Sequence, residues 1–387
     1  MNPAGSDPRP ILLVGPVPPP VTGQSVAFSL LAEEFQRVGS VTVVDLSERS
    51  GRRDRQFSLA RALLMLRLAA SIWRGLGATS LIYLTIAQSR VGFLRDALFI
   101  ALARLRGRPV VAHLHGGNYS GYYHSENRMF RFLIRRTLRH TARLIVLSES
   151  LRQDFDFLGP DFAPRLRAVP NACPIPLGQR REAPRGEFRL LFLSNLLAEK
   201  GYLDCVEAMG HLRRRLPDVP IRLVLTGAFM LGSDDYDTVA EMEAALRERI
   251  RRLELDEVVT IAGVVDGTEK QRLLDSSHIH LLPTYYENEG QPIALIEALA
   301  SGIPSIATAW RGIVDIVEDE ATGLIVPAKD PSAIAEAAAR LYRDPALYER
   351  LSTGAIAAAQ TFARERHVAA MAGVFDEACR GHSPTPP

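Results

Sequence analysis

Short apolar runs alternate with helix-length amphipathic segments along the chain, which is the pattern of βα units and a parallel sheet. In the first half, five runs are predicted to be buried strands: 11–15, 41–45, 81–85, 110–114 and 144–148. In the second half, six more follow: 189–194, 221–227, 258–263, 278–283, 305–308 and 323–327. The sequence therefore predicts an α/β fold with two separate parallel sheets.

A segment rich in proline, glycine and charge, residues 174–187, lies between the two sets of strands and indicates a linker. A chain of 387 residues is also long enough for two domains of ordinary size. We therefore predict domains at 1–178 and 179–360. Residues 361–387 are expected to form a C-terminal helix that crosses back to the first domain, followed by a tail.

The composition, 47% hydrophobic and 23% charged, is that of a globular protein and excludes a disordered chain. The longest apolar runs are much shorter than the roughly 20 residues that a bilayer crossing requires. No secretory signal is evident at the start of the sequence, and the three cysteines are scattered. We expect a protein of the reducing cytoplasm.

Charge is distributed unevenly: the first 180 residues carry a formal charge of +12 and the remainder −10. Two stretches, 52–76 and 127–144, mix arginine with large apolar residues and are predicted to be amphipathic helices. Each alone is equally compatible with packing on the sheet through its apolar stripe or with lying on an anionic membrane. Their shared half favours peripheral membrane contact, and nucleic acid is disfavoured because no recognised binding module is present.

The strongest local motif is the segment 283–304, where a loop with Glu287 and Glu289 leads into a helix bearing Glu297. The loop follows a predicted strand, so it lies at the carboxyl edge of a parallel sheet, where such folds bind ligands. The start of the helix suits an anion such as a pyrophosphate, and Gly290 permits close backbone approach. The alternative is a solvated acidic loop with an ordinary surface glutamate on the helix.

The segment EGQPIALIEALASGIP resembles the Glu-x7-Glu signature of the family 4 retaining glycosyltransferases of GT-B fold. Four further segments resemble that family and occur in its order: RPILLVGPVPPPVTGQSVAFSLLAEEF, HLHGGNYSGYY, VPNAC with Asn171, and SNLLAEKGYLDCVEA. The resemblance covers nearly all of the chain. It implies two Rossmann-like, doubly wound domains that face each other across a cleft.

The resemblance also implies roles for individual residues. Lys200 would hold the donor diphosphate, Glu289 the transferred sugar and Glu297 the nucleotide ribose. The full set comprises catalytic Glu289, His115 and Lys200; donor-binding Glu297, Gly290, Gln291, Pro292, Ile293, Asn195, Gly23 and Gln24; and acceptor-binding Asn118 and Tyr119.

One departure from the family pattern concerns the diphosphate site. Where the family usually has Gly-Arg-Leu, this chain has Ser194-Asn195-Leu196, so a charge-assisted phosphate contact is missing. Arg311 is a candidate replacement in the donor site, and the alternative is a solvated loop charge. His113 and His115 have no third ligand nearby in the sequence, so no metal site is expected.

The function that the resemblance implies is retaining, metal-independent transfer of a sugar from a nucleotide-diphosphate donor, without a cofactor. The acceptor would be a hydroxyl of a saccharide or a polyprenyl-diphosphate-linked sugar, in polysaccharide or glycolipid biosynthesis at the inner face of the membrane. Two alternatives stay open: a sugar-nucleotide epimerase of the same fold, and a catalytically degenerate scaffold homologue.

Overall fold

The computed structural model describes residues 10–47, 59–232 and 236–381. The chain divides into two compact units, Met1–Pro174 with Ala363–Pro387, and Ile175–Phe362. These boundaries differ by a few residues from the positions 178 and 360 expected from the sequence. Residues 52–58 of the first basic stretch lie outside the described part of the chain.

The first unit is built on a parallel sheet in the order β2-β1-β3-β4-β5-β6. Its strands are β1 (Ile11–Gly15), β2 (Val41–Asp45), β3 (Leu81–Thr85), β4 (Val110–His113), β5 (Arg143–Val146) and β6 (Leu166–Ala168). Its helices are α1 (Gly23–Val38), α2 (Leu59–Ala78), α3 (Arg90–Leu105), α4 (Tyr119–Ser125) and α5 (Arg128–Leu138). The sequence pattern missed β6, because only Leu166 of its three residues is buried.

The second unit has a parallel sheet in the order β12-β11-β10-β7-β8-β9. Its strands are β7 (Phe188–Leu193), β8 (Ile221–Thr226), β9 (Val259–Gly263), β10 (Ile279–Leu282), β11 (Ser305–Thr308) and β12 (Gly323–Val326). Its helices are α6 (Tyr202–Arg215), α7 (Val239–Arg252), α8 (Gly267–Ser276), α9 (Ile293–Ala300), α10 (Pro331–Arg343) and α11 (Pro345–Ala359). All six strands expected in this half are present, so the prediction of two Rossmann-like sheets is confirmed.

The last helix, α12 (Arg364–Arg380), belongs to the first unit. Its Met371, Val374 and Phe375 are buried against apolar residues of α1 and of the central strands. Polar contacts fix its ends, since Arg364 reaches Glu34 at 3.1 Å and Glu377 accepts hydrogen bonds from arginines on β5 and β6. The helices α1 and α12 thus share one packed cluster with the sheet, whereas α2, α3 and α5 share another.

No helix among the described residues combines the length and apolarity needed to cross a bilayer.

Candidate active site

The carboxyl edge of the second unit's sheet brings together the loops that follow β7 and β10. After β7 the chain forms a short 3₁₀ helix, Ala198–Lys200, and then α6. After β10 the loop returns through Thr284 and Glu289 to α9. The backbone N–H of Tyr285 donates to the carbonyl of Glu199 at 2.7 Å, which joins the two loops directly.

Lys200 and Glu289 form a nearly buried ion pair at this edge. The Lys200 ammonium donates to both carboxylate oxygens of Glu289, at 2.8 and 2.6 Å, and the side chains are only 16% and 6% exposed. The Thr284 hydroxyl donates to the same carboxylate at 3.0 Å, and the Tyr286 ring lies 5.2 Å from the ammonium. The structure therefore joins two of the predicted catalytic residues, which are 89 positions apart in the sequence.

Gly201 makes the close approach of these loops possible. It adopts a left-handed backbone with φ +82°, and a Cβ at this position would lie 2.5 Å from the carbonyl oxygen of Pro283. Only glycine tolerates both conditions without strain. The backbone thus requires glycine at position 201, and the ion pair with Glu289 requires the charge of Lys200 beside it.

Glu297 forms a second ion pair with a lysine. It is buried on α9, and its carboxylate lies 2.5 Å from the ammonium of Lys270 on α8. Burial raises the pKa of Glu297, and the charge and hydrogen bond of Lys270 oppose that rise. The sequence analysis missed Lys270, although the rarity of lysine in this arginine-rich chain was a usable signal.

The chain has only three lysines among 46 basic residues, and all three lie at this edge of the sheet. Lys200 follows β7, Lys270 follows β9 and Lys329 follows β12. The Lys329 ammonium lies 4.4 Å from the centroid of the Tyr285 ring. Lysine is therefore confined to the surface where the sequence predicts an anionic ligand.

The remaining predicted donor residues of this unit lie in the same loops. The carbonyl oxygen of the Asn195 side chain accepts a hydrogen bond from the backbone N–H of Ala228 at 3.1 Å, so it joins the loops after β7 and β8. Residues 290–293 lead into α9, and Pro292 precedes its first residue without a side-chain cap. The start of this helix therefore presents backbone donors toward the loop.

Arg311 lies in the loop that follows β11, with a left-handed backbone of φ +48°. Its guanidinium is 5.8 Å from the ring centroid of Trp310, whose indole N–H donates to the carbonyl of Tyr286 at 2.7 Å. Arg311 thus belongs to the same edge as Glu289. Its replacement of the missing diphosphate arginine stays a prediction.

The predicted residues of the first unit lie at the carboxyl edge of its own sheet. Gly23 and Gln24 open α1, which Thr22 and Ser25 cap reciprocally. Asn118 has a left-handed backbone just before α4. Tyr119 is fully buried and its ring stacks on Phe155 with the centroids 4.8 Å apart, which favours a packing role over an acceptor contact.

His115 is part of a buried aromatic network. The Tyr83 hydroxyl lies 2.7 Å from Nδ1 of His113 and 3.1 Å from Nε2 of His115, and the two imidazole rings are 4.0 Å apart. Burial and the neighbouring His367 lower the pKa of His115 to about 3, and a side-chain hydrogen bond with Asn171 opposes this decrease. The imidazole of His115 is therefore neutral at physiological pH.

Two parallel Rossmann-like sheets of this kind are the architecture of the GT-B fold of glycosyltransferases. A solved structure supports this assignment: HepE (Alr3699) of Anabaena, in complex with UDP, aligns with a TM-score of 0.73. The alignment covers 95% of this chain and 99% of HepE at 17% identity, so it bears on the fold alone.

Family models identify the chain further. The model for glycosyl transferases group 1 matches residues 178–357, and the model for a glycosyl transferase 4-like domain matches residues 22–172. The chain belongs to the family 4 glycosyltransferases, which confirms the resemblance seen in the sequence.

Two curated relatives show the range of this family. A D-inositol 3-phosphate glycosyltransferase of Arthrobacter is 31% identical over 216 residues, which are 56% of this chain and 46% of that protein. The putative colanic acid biosynthesis glycosyltransferase WcaL of Escherichia coli is 30% identical over 189 residues, 48% of this chain and 42% of WcaL. The matches thus span less than half the length of these relatives.

Proposed function

We propose that the protein transfers a sugar, with retention of configuration, from a nucleotide-diphosphate donor to a hydroxyl group of a saccharide or a polyprenyl-diphosphate-linked sugar. The observation that carries the proposal is the pair of buried lysine–glutamate contacts at one sheet edge. Burying charged side chains costs free energy, and buried charged groups are concentrated at functional sites. The family membership and the UDP bound by HepE support a nucleotide sugar as the ligand.

In the proposed donor complex, Lys200 binds the diphosphate and stabilises the negative charge that develops on the leaving nucleotide. The start of α9 provides further backbone donors for the phosphates. Because Lys200 contacts Glu289 in the free protein, its ammonium must shift toward the diphosphate when the donor arrives. This shift frees Glu289 to accept hydrogen bonds from hydroxyl groups of the transferred sugar.

Glu297 is proposed to accept hydrogen bonds from the ribose hydroxyls. An ionised carboxylate accepts both in charge-assisted hydrogen bonds, whereas a protonated carboxyl group turns one oxygen into a donor and offers only weaker, neutral acceptors. Lys270 favours the ionised form of a carboxyl group whose pKa burial would otherwise raise further. It is therefore a positioning residue that acts through Glu297.

His115 is proposed to contact the transferred sugar as a neutral hydrogen-bonding group. Its low pKa makes it unsuitable as a general acid near neutrality. No protein nucleophile is assigned, and the departing phosphate would accept the proton of the incoming hydroxyl. We further propose that the reaction is metal-independent, with Lys200 providing the cationic charge at the diphosphate, and that it takes place at the cytoplasmic face of a membrane.

A nucleotide-binding screen tests the donor site. We expect one of UDP, GDP and ADP to raise the melting temperature of the protein clearly, because a ligand at about 100 times its Kd stabilises the native state by about 2.7 kcal/mol. The Glu297→Ala variant should lose this shift. Glu287→Ala is the matched control, since Glu287 is an exposed glutamate of the same loop.

The outcomes separate the alternatives. An equal shift in Glu297→Ala would contradict the assigned donor site, and no shift with any nucleotide would favour the scaffold homologue. Conversion of a nucleotide sugar without any acceptor would favour an epimerase. Transfer of the sugar to a lipid-linked or saccharide acceptor, detected by chromatography, would establish the proposed reaction, and NMR of the anomeric proton of the product would establish its stereochemistry.

A further inference from the structure

Three helices of the first unit, α2, α3 and α5, present apolar side chains to solvent on the face turned away from the sheet. Eleven of the seventeen large hydrophobic residues that are exposed in the described part of the chain belong to them. They are Leu63, Leu64, Leu66 and Trp73 on α2; Val91, Leu94, Leu98 and Leu105 on α3; and Met129, Phe132 and Leu133 on α5. We call this surface the outer face.

The outer face is distinct from the stripe by which the same helices pack on the sheet. On α3, for example, Phe93 and Phe99 are buried in the core, whereas Val91 and Leu105 are each 75% exposed. On α5, Ile134 is buried and Phe132 is 66% exposed. Core packing therefore explains only one side of each helix.

The charge of the outer face is almost purely positive. Residues 59–148 contain fourteen arginines and no lysine, with only two acidic residues, Asp96 and Glu126. Both acidic side chains are buried and bonded to arginines, Asp96 to Arg95 and Glu126 to Arg90. The exposed arginines on or beside the three helices include Arg67, Arg74, Arg104, Arg106, Arg128, Arg135 and Arg136.

We propose that the outer face binds an anionic lipid surface. Arginines attract the headgroups, and exposed leucine, phenylalanine and methionine side chains gain free energy by entering the boundary with the acyl chains. Nucleic acid would account for the arginines, and its bases stack on aromatic rings, but it offers little apolar surface to the aliphatic side chains such as Leu105. Charge and apolar exposure together therefore favour a membrane.

The location of the outer face fits a lipid-anchored acceptor. Val91 and Leu94 lie in the first turns of α3, at the same edge of the sheet as the loop with His115 and Asn118. An acceptor held in the membrane would thus reach the proposed acceptor loop of this unit. Lipid binding itself needs neither donor nor acceptor, so it can be tested independently of the proposed function.

Flotation with lipid vesicles tests the proposal on the full chain. We expect the protein to float with vesicles of phosphatidylcholine containing about 30% phosphatidylglycerol, and to remain behind with phosphatidylcholine alone. High salt should weaken the binding, because it screens the headgroup charges.

Two double variants address the two components of the outer face: Arg67→Glu with Arg136→Glu, and Leu105→Glu with Phe132→Glu. Each should lower the affinity for the anionic vesicles at least about tenfold. The matched controls are Arg366→Glu on α12 and Val38→Glu on α1, which are exposed on helices that pack on the other face of the same sheet. These controls should bind like the unaltered protein.

Unchanged vesicle binding in both double variants, or equal binding to neutral vesicles, would overturn the proposal. Binding to RNA without binding to vesicles would also overturn it. An unaltered circular dichroism spectrum and melting temperature in the double variants show that they are folded, so a loss of flotation is then a loss of lipid binding.

Discussion

Glu297 shows how a single contact can adjust the ionisation of a buried carboxylate. The side chain is 3% exposed, and burial alone would favour its neutral form, which is the weaker acceptor for hydroxyl groups. Lys270 lies on the neighbouring helix and opposes this effect with a charge at 2.5 Å. The ionised state of Glu297 therefore depends on a residue that lies 27 positions earlier in the chain.

We expect Lys270→Met to make nucleotide binding more sensitive to acid. Methionine retains much of the volume but removes the charge, so the pKa of Glu297 should rise further. Below that pKa the carboxyl group is protonated, so the affinity should decline at a higher pH than in the unaltered protein. Calorimetric titration with UDP, or whichever nucleotide binds, across about pH 5.5 to 8 measures the effect.

Lys329→Met is the matched control for this experiment, since Lys329 lies at the same edge but its ammonium lies over the Tyr285 ring, whereas Glu297 pairs with Lys270. Its pH profile should remain that of the unaltered protein. Coincident profiles for Lys270→Met and the unaltered protein would exclude the positioning role of Lys270.

At the residue scale, the sequence identified candidate site residues that lie close together along the chain. The interval between Glu289 and Glu297 belongs to one loop and one helix, so it can be recognised without a structure. The partners of these glutamates, Lys200 and Lys270, come from other strand–helix connections. Such pairings arise only when the sheet forms, and the Lys270 contact was therefore missed.

Gly201 determines how one strand–helix connection is built. The turn between the 3₁₀ helix and α6 needs a left-handed residue and leaves no room for a side chain beside Pro283. The same turn orients Lys200 toward Glu289. A change at Gly201 should consequently affect stability and the ion pair together.

We expect Gly201→Ala to lower the free energy of unfolding of the second unit by about 1–3 kcal/mol, through backbone strain and the clash with the Pro283 carbonyl. Gly210→Ala is the control: it lies inside α6, and its Cβ would have no atom within 4 Å. That change should be neutral or stabilising by up to about 1 kcal/mol, because alanine is the better helix former. Urea unfolding of both variants provides the comparison, and equal stabilities would contradict the strain argument.

At the scale of elements, the sequence predicted the strands well because buried parallel strands are short, continuous apolar runs. The strand β6 was not predicted, because an edge strand with one buried residue lacks such an apolar run. The three-helix outer face shows a related limit. The sequence singled out α2 and α5 for their arginines, but α3 joins them only because its exposed stripe lies beside them.

The first unit as a whole encloses three histidines. His113 is the last residue of β4, and His115 lies in the loop that follows it. His367 lies on α12, where its Nδ1 is 2.7 Å from the carbonyl oxygen of Pro170. Burial lowers the pKa of all three, and the neighbouring imidazoles lower those of His113 and His115 further. No local pattern in the sequence indicates that a helix some 250 residues later completes this cluster.

We expect the first unit to lose stability as the pH falls below about 6.5. The unfolded chain binds protons at its histidines there, whereas the folded unit does not, so acid favours unfolding by up to about 1.4 kcal/mol per pH unit for each buried histidine. His113→Asn should reduce this dependence, and His124→Asn, at an exposed position, should not. Urea unfolding at several pH values measures the slopes, and identical slopes in all three proteins would contradict the prediction.

The confinement of lysine to one edge of the second unit has a practical consequence for chemistry with amines. Acylating reagents and amine-coupling surfaces react with lysines and not with arginines, so apart from the N-terminal amine they can modify this protein only at Lys200, Lys270 and Lys329. Lys329 is exposed and should react first, whereas Lys200 is shielded by Glu289. Apart from attachment at the N-terminus, immobilisation through amines would thus hold the molecule by its proposed donor site, and the same selectivity makes the extent of lysine labelling a test of whether a ligand occupies that site.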